Sequence, residues 1–271
     1  MLNLSKILRP THHKVKNLQW VMHLAIIPAI IYGSWPLVAL MMVTFYLMHG
    51  LGSGIGAHRY YTHKTFQTSR LWQILMSFFF TISCTGSTVG YVLMHRKHHA
   101  NSDKENDPHS PAAGFWRTWF GMYDESKLTF GSKAYLKMMK DPVNAFFHNY
   151  YFGIIGVYAS ALLLIDPILV VFMLMLPAVM QFHVNAILIA LVHTPAIEKI
   201  GGYRAHETND DSYNLPWLKP LLLGEELHNN HHTKPNSVTM NLENNWWEFD
   251  PLYYVIQTIR TDKNDSKSVS P

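Results

Sequence analysis

The sequence predicts an all-α integral membrane protein, with four transmembrane helices in two hairpins and a cytoplasmic helical cap. Two observations carry that reading: where charge is missing, and how the uncharged blocks divide. The 271-residue chain is 48% hydrophobic with a mean hydropathy near zero, the average of an ordinary soluble domain. That average hides a segregation. Residues 18–56 contain no Lys, Arg, Asp or Glu, and residues 146–193 contain only Asp166. All 22 Lys and Arg lie outside these blocks: four in residues 1–17, eleven in 57–145 and seven in 194–271. A charge at the bilayer centre costs about 3 kcal/mol or more. A chain that crosses a membrane therefore sorts its charge in this way, and a soluble chain has no reason to.

Each block is long enough to cross twice, with spans expected at about 18–33, 36–56, 146–165 and 168–191 and turns at Ser34-Trp35-Pro36 and Asp166-Pro167. A span needs roughly 20 apolar residues, about 17 at the short end. The first is marginal and contains Pro28, which tilt and local thinning accommodate. Both turns lack bases, so every basic segment falls on one face, cytoplasmic by the positive-inside rule. The expectation is a single domain over 1–271, multi-pass, with both termini cytoplasmic. Its cap comprises 57–145 and 192–262, followed by a polar, disordered tail at 263–271. No cleavable signal peptide is expected, because no small-residue cleavage site follows the basic, apolar N-terminus. Residues 64–94 are apolar enough to suggest another span. One crossing would separate the histidine clusters on either side, and two need roughly 40 residues where 31 are available. This stretch is expected along the interface or in the cap, and a helix is expected over 115–120.

The cap carries three histidine clusters: His58-Arg-Tyr-Tyr-Thr-His63, His95-Arg-Lys-His98-His99 and His228-Asn-Asn-His231-His232. With 17 His in the chain, chance gives an HxxHH triple roughly 0.07 times, and a pair of them far less often. On a helix, positions i, i+3 and i+4 share one face. Neutral imidazole suits iron, zinc, copper and nickel rather than magnesium or calcium. Eight imidazoles at a membrane surface suggest a dimetal centre. Iron is the natural occupant because it combines imidazole affinity with oxygen activation, and lipid chains offer unactivated C–H bonds. Cys84 is the only cysteine, which excludes disulfides, iron–sulfur clusters and thiolate zinc sites within one chain. The pI near 9.0 fits attraction to anionic headgroups, and no nucleic-acid motif accompanies it. A histidine-rich metal transporter would need its ligands inside the bilayer rather than in the loops.

With these boxes the chain resembles the membrane fatty acyl desaturases of the stearoyl-CoA desaturase type, bacterial members in particular. The flanks agree: Asp107-Pro108-His109-Ser110-Pro111, Gly201-Gly202-Tyr203-Arg204, Gly224-Glu225-Glu226-Leu227-His228 and Trp246-Trp247-Glu248-Phe249-Asp250. The resemblance covers roughly residues 20–255 and implies two iron ions, O2 as co-substrate and removal of two hydrogens from a saturated acyl chain. A cis double bond near the middle of a C16–C18 chain is implied, with a hydroxylase or carotenoid ketolase as the alternative. The implied partners are an acyl-CoA or acyl-lipid substrate and a separate electron donor, such as ferredoxin or a small cytochrome with its reductase. A ninth ligand is implied at His193, although the family's usual Asn four residues earlier is here Ile189. The implied partition is His58, His63, His95, His99 and His232 on one iron, and His98, His193, His228 and His231 on the other. If a chain oxidised at mid-length buries about 10 Å beyond the metals, helical rise puts a substrate-tunnel floor at Tyr46 and Leu47. Plain helix packing is the competing role for that pair. Lone histidines in the spans (His23, His49, His183) are expected to pack or bond between helices, His109 to orient the second box, and Arg96 and Lys97 to point away from the metals.

Overall fold

The computed structural model describes residues 7–121 and 130–262; the expected polar tail lies outside them. The chain is helical, with no strand among the described residues beyond isolated bridges. Its helices are α1 (His12–Tyr32), α2 (Trp35–Thr62), α3 (Arg70–Ile82), α4 (Thr88–Asn101), α5 (Phe115–Trp119), α6 (Ser132–Met139), α7 (Pro142–Asn149), α8 (Tyr151–Ile165), α9 (Pro167–Leu191), α10 (His228–Thr233) and α11 (Pro251–Ile259). Three of them begin at an Asp-Pro pair. Asp141, Asp166 and Asp250 accept backbone N–H bonds from the first turn, and the proline fills the position whose N–H would be unsatisfied.

Three helices, α1, α2 and α9, are long and apolar enough to cross a membrane, at 21, 28 and 25 residues. The expected first span starts earlier, at His12. Pro28 cannot bond the carbonyl four residues back, and the chain tightens into a 3-10 turn over His23–Ala25 without breaking. The expected third span, 146–165, is not one straight helix: α7 and α8 are apolar enough together but meet at a 70° bend. The bend falls at Tyr150, whose φ and ψ (−111°, 20°) are not helical.

The chain forms two compact units. The first gathers the described residues of Met1–Ala57, Gln73–Tyr91 and Gly131–His183. Its core joins Met22, Met48, Ile82, Cys84, Tyr151, Ile155, Leu174 and Val179. Residues 73–91, expected at the interface or in the cap, instead pack with these apolar helices as the tip of the α3–α4 hairpin. The tip turns through Cys84 (φ 59°) and Gly86 (φ 116°). A turn buried among apolar helices needs partners for its backbone, and neighbouring helices supply them. The Gln19 amide donates to the Cys84 carbonyl (2.7 Å), and the Gly86 N–H donates to the Tyr151 hydroxyl (3.1 Å). Within this unit His23 meets His183 across helices, Nε2 to Nε2 at 3.2 Å, and His49 stacks on Phe45. These span histidines serve packing and interhelical bonding, as expected.

The second unit holds the described residues of His58–Trp72, Val92–Phe130 and Val184–Pro271. A cluster of Val192, Ile197, Tyr213 and Leu215, together with the buried α11 face of Leu252, Ile256 and Ile259, gives it its own core. The helix expected over 115–120 is α5, ending one residue sooner.

The winding of α2 changes part-way along it. From Leu47 to Thr62, α2 is a π-helix, a wider coil with bonds five residues apart. Gly50, Gly52, Gly54 and Gly56 lie in it and put no side chain in the way. Each residue turns through roughly 80° there instead of about 100°, so eleven residues accumulate a lag of about half a turn. Leu47 is therefore not on the His58 face. It is 37% exposed, while Phe45, Met48 and His49 are buried. The expectation of Leu47 as tunnel floor rested on α-helical phase and is corrected. Tyr46 is half-buried.

Candidate metal centre

All nine candidate histidines lie in the second unit, where they form two groups. In each group the potential ligand nitrogens lie within 4.8 Å of one another: His58, His63, His95, His99 and His231 in one, His98, His193, His228 and His232 in the other. The helices explain the division. Positions i and i+4 lie nearly above one another, while i+3 points to the side. So α4 gives His95 and His99 to the first group and His98 to the second, and α10 gives His228 and His232 to the second and His231 to the first. The expected partition, with His232 beside His58 and His231 beside His228, is overturned by that periodicity. The HxxxxH box needs the π-helix: residues five apart fall on one face only when the helix is wound i to i+5. His63 N–H donates to the His58 carbonyl (3.1 Å) in that pattern.

The Nε2 atoms face inward. Successive Nε2 separations run 3.1 Å (His63–His95), 3.0 Å (His95–His99), 2.9 Å (His99–His231) and 3.0 Å (His231–His58). In the second group His228 stands 3.0 Å from His193 and 3.1 Å from His232. Two nitrogens each about 2.1 Å from one ion, at right angles, stand about 3.0 Å apart. Hydrogen bonds alone cannot account for this packing. Nδ1 of His193 donates to Asp103 (2.8 Å) and Nδ1 of His232 to Asp210 (2.7 Å), which leaves each Nε2 as a lone pair. His228 Nε2 touches both and can carry one proton, so it satisfies one of them and opposes the other. A cation between the nitrogens removes the conflict. The residues present fit a transition metal in each group.

Residues 33–260 match the fatty acid desaturase family. The chain belongs to that family. Similar relatives include the sn-1 stearoyl-lipid 9-desaturase of Anabaena variabilis, 30% identical over 84% of this chain and 82% of that protein. Others are the Delta-9 acyl-lipid desaturase 2 of Arabidopsis thaliana, 30% identical over 83% and 72%, and the sn-2 palmitoyl-lipid 9-desaturase of a Nostoc species (strain 36), 27% identical over 85% and 80%. It is an oxidoreductase that desaturates fatty acyl chains, and the hydroxylase or ketolase alternative is not favoured.

Most of the site histidines of this desaturase are pushed toward the neutral form, in which imidazole binds a metal. Burial, followed by repulsion from neighbouring imidazoles, pushes His95, His99, His228 and His231 below the usual histidine range. Burial likewise lowers His232, to about 4, with Asp210 opposing. The carboxylates behind the rings are held ionised. Burial alone would raise Asp103, Asp107 and Asp210, but the hydrogen bonds from His193, His98 and His232 bring each below the usual carboxylate range.

Sequence reasoning missed these carboxylates as functional groups. Asp107 backs His98 (Nδ1 to Oδ2, 2.9 Å), and Glu225 backs His58 (Nδ1 to Oε2, 2.5 Å). Asp107 and Glu225 stood in the flanking motifs without a role, and Asp103 and Asp210 went unremarked. A signal existed: a ligating imidazole has a second N–H that needs an acceptor, and Asp103 and Asp107 come directly after the second box. His109 stacks on the His98 ring at 4.5 Å, centroid to centroid, in keeping with an orienting role. The Arg96 side chain turns to the end of α2. It donates to the carbonyls of Tyr61 (3.2 Å) and Thr62 (2.8 Å), capping the end of α2 and tying the first box to the second.

Proposed function

We propose that this desaturase introduces a cis double bond near carbon 9 of a C16–C18 acyl chain carried on a membrane lipid. It would use two iron ions held by the nine histidines, consume O2 and draw two electrons from a separate ferredoxin or small cytochrome. The observation that carries the reading is the nine-imidazole cluster of inward Nε2 atoms in a chain whose relatives are named acyl-lipid 9-desaturases. When bound, iron supplies the oxygen activation that breaks an unactivated C–H bond. The protein's own part is to aim the imidazoles through Asp103, Asp107, Asp210 and Glu225 and to hold them in a largely buried pocket. Expression in a host lacking unsaturated fatty acids, followed by double-bond location in its lipids, tests this reading. Monounsaturated acyl lipid and about two irons per chain support it; hydroxylated product or iron-free active protein overturns it.

The topology we propose has four spans, α7 and α8 together making the third, with the histidines and both termini cytoplasmic as the basic residues indicate. Ser34 and Lys104 are both exposed and Cys84 is buried. In a Cys84→Ser background, cysteines at 34 and 104 are expected to label from opposite sides of the membrane. Labelling of both from one side rules out four spans. Tyr46 is the remaining proposed limit on acyl length. Tyr46→Ala is expected to extend the accepted chain by about two carbons, or about 2.5 Å, without moving the double bond relative to the carboxyl end. An unchanged product profile removes Tyr46 from that role.

A further inference from the structure

Arg59 lies inside the first histidine box and cannot itself be a ligand, yet its side chain is the largest among the fully buried ones. All five of its N–H donors are used. Nε and Nη2 donate to Glu225 Oε1 (3.1 and 3.0 Å), Nη1 and Nη2 donate to Asp250 (2.8 and 3.1 Å), and Nη1 also reaches the Val238 carbonyl (3.1 Å). The other oxygen of Glu225 receives Nδ1–H of His58 at 2.5 Å. Asp250 is committed as well: it accepts the Met240 N–H (2.9 Å) and the Tyr253 N–H that starts α11 (3.2 Å). Gly224 is required beside it, because a Cβ there would stand 2.5 Å from Asp250 Oδ1 at a φ of +111°.

The chain of contacts thus runs from α11 through Asp250, Arg59 and Glu225 to His58. We infer that Arg59 and Asp250 are positioning residues for the metal centre, fixing Glu225 so that it holds the His58 ring with Nε2 toward the five-histidine group. A carboxylate with one oxygen free to rotate would let the imidazole swing. The planar guanidinium fork removes that freedom, and lysine cannot reproduce it because its ammonium is a single point. The same guanidinium pairs with a second buried carboxylate, Asp250, so that one cation bridges the two acidic groups. The C-terminal helix, with no candidate ligand of its own, is in this way coupled to the geometry of the first box.

This inference rests on the proposed metal site, and the experiment separates the two. Full-length wild type, Arg59→Lys and Glu225→Gln are purified in detergent, loaded with iron or cobalt(II), and assayed for metal content, visible spectrum and rate of metal loss to a chelator. Fold is followed by thermal aggregation. Both variants are expected to lose one of two ions about 10–100-fold more readily and to show an altered cobalt(II) spectrum for that ion, at temperatures where they remain folded. The second ion keeps its wild-type spectrum. A structural role alone would lower the aggregation temperature and leave the spectrum and chelator resistance of the folded protein unchanged, which overturns the inference. If Arg59→Lys does not fold, Asp250→Asn decides by the same readouts, because it weakens the hold on Arg59 while leaving Arg59, Glu225 and His58 in place. A wild type that holds no metal would overturn the proposed function instead.

Discussion

A His231→Ala protein is expected to reach the membrane, keep about one metal ion and form no unsaturated product. His231 Nε2 is 3.0 Å from that of His58 and 2.9 Å from that of His99, so it joins the first box to the second. Removing it costs a direct donor, and the loss should exceed the roughly 10–100-fold that removal of a supporting carboxylate costs. The helix that carries it spans only His228–Thr233, and α1, α2 and α9 do not depend on it for insertion. His232→Ala should be equally inactive for a different reason, because its Nε2 belongs with His228 in the four-histidine group. Metal analysis and the cobalt(II) spectra distinguish the two. Each variant should retain one ion, and the two retained spectra should add to that of the wild type. Identical residual spectra would mean that both histidines serve the same ion and would undo the division.

How much of this was legible without coordinates depends on which regularity each element obeys. The charge-free blocks announced α1, α2 and α9, because the cost of a buried charge acts on composition and needs no geometry. The three boxes stood out because ligand chemistry selects residue types, whereas His193 was pointed to only by the family resemblance; the fold gathers all nine. The i, i+4 pairing of His228 with His232 was available from helical periodicity, and the expected partition set it aside. The π-helix was not available, because nothing in a Gly-rich helical stretch states its winding. Leu47 was misplaced by that alone, while the convergence of His58 with His63 depends on it. The α3–α4 hairpin escaped notice because its burial rests on single side chains far away in sequence, Gln19, His148 and Tyr151, that satisfy the turn. The bend at Tyr150 has no composition signal either, since both of its arms are apolar.

Gly52→Ala is expected to destabilise the protein by about 1–3 kcal/mol, the usual cost of forcing atoms into a packed core, although alanine is the better helix former. Here α2 passes directly over α3. A Cβ at 52 would stand 2.5 Å from the Phe80 nitrogen and 2.7 Å from the Phe79 carbonyl carbon, both backbone atoms. No side chain can rotate out of the way, so the two helices must separate, and close approach of small residues is a main source of helix association in a membrane. Gly156→Ala supplies the opposite sign. That residue sits within α8, exposed, and a Cβ there meets nothing within 4 Å. Helix propensity then acts unopposed and favours alanine by roughly 0.5–1 kcal/mol. Thermal aggregation midpoints of the two variants in one detergent should therefore move in opposite directions from the wild type, Gly52→Ala down and Gly156→Ala level or slightly up. A Gly52→Ala protein as heat-resistant as the wild type would mean that α2 and α3 do not pack backbone to backbone.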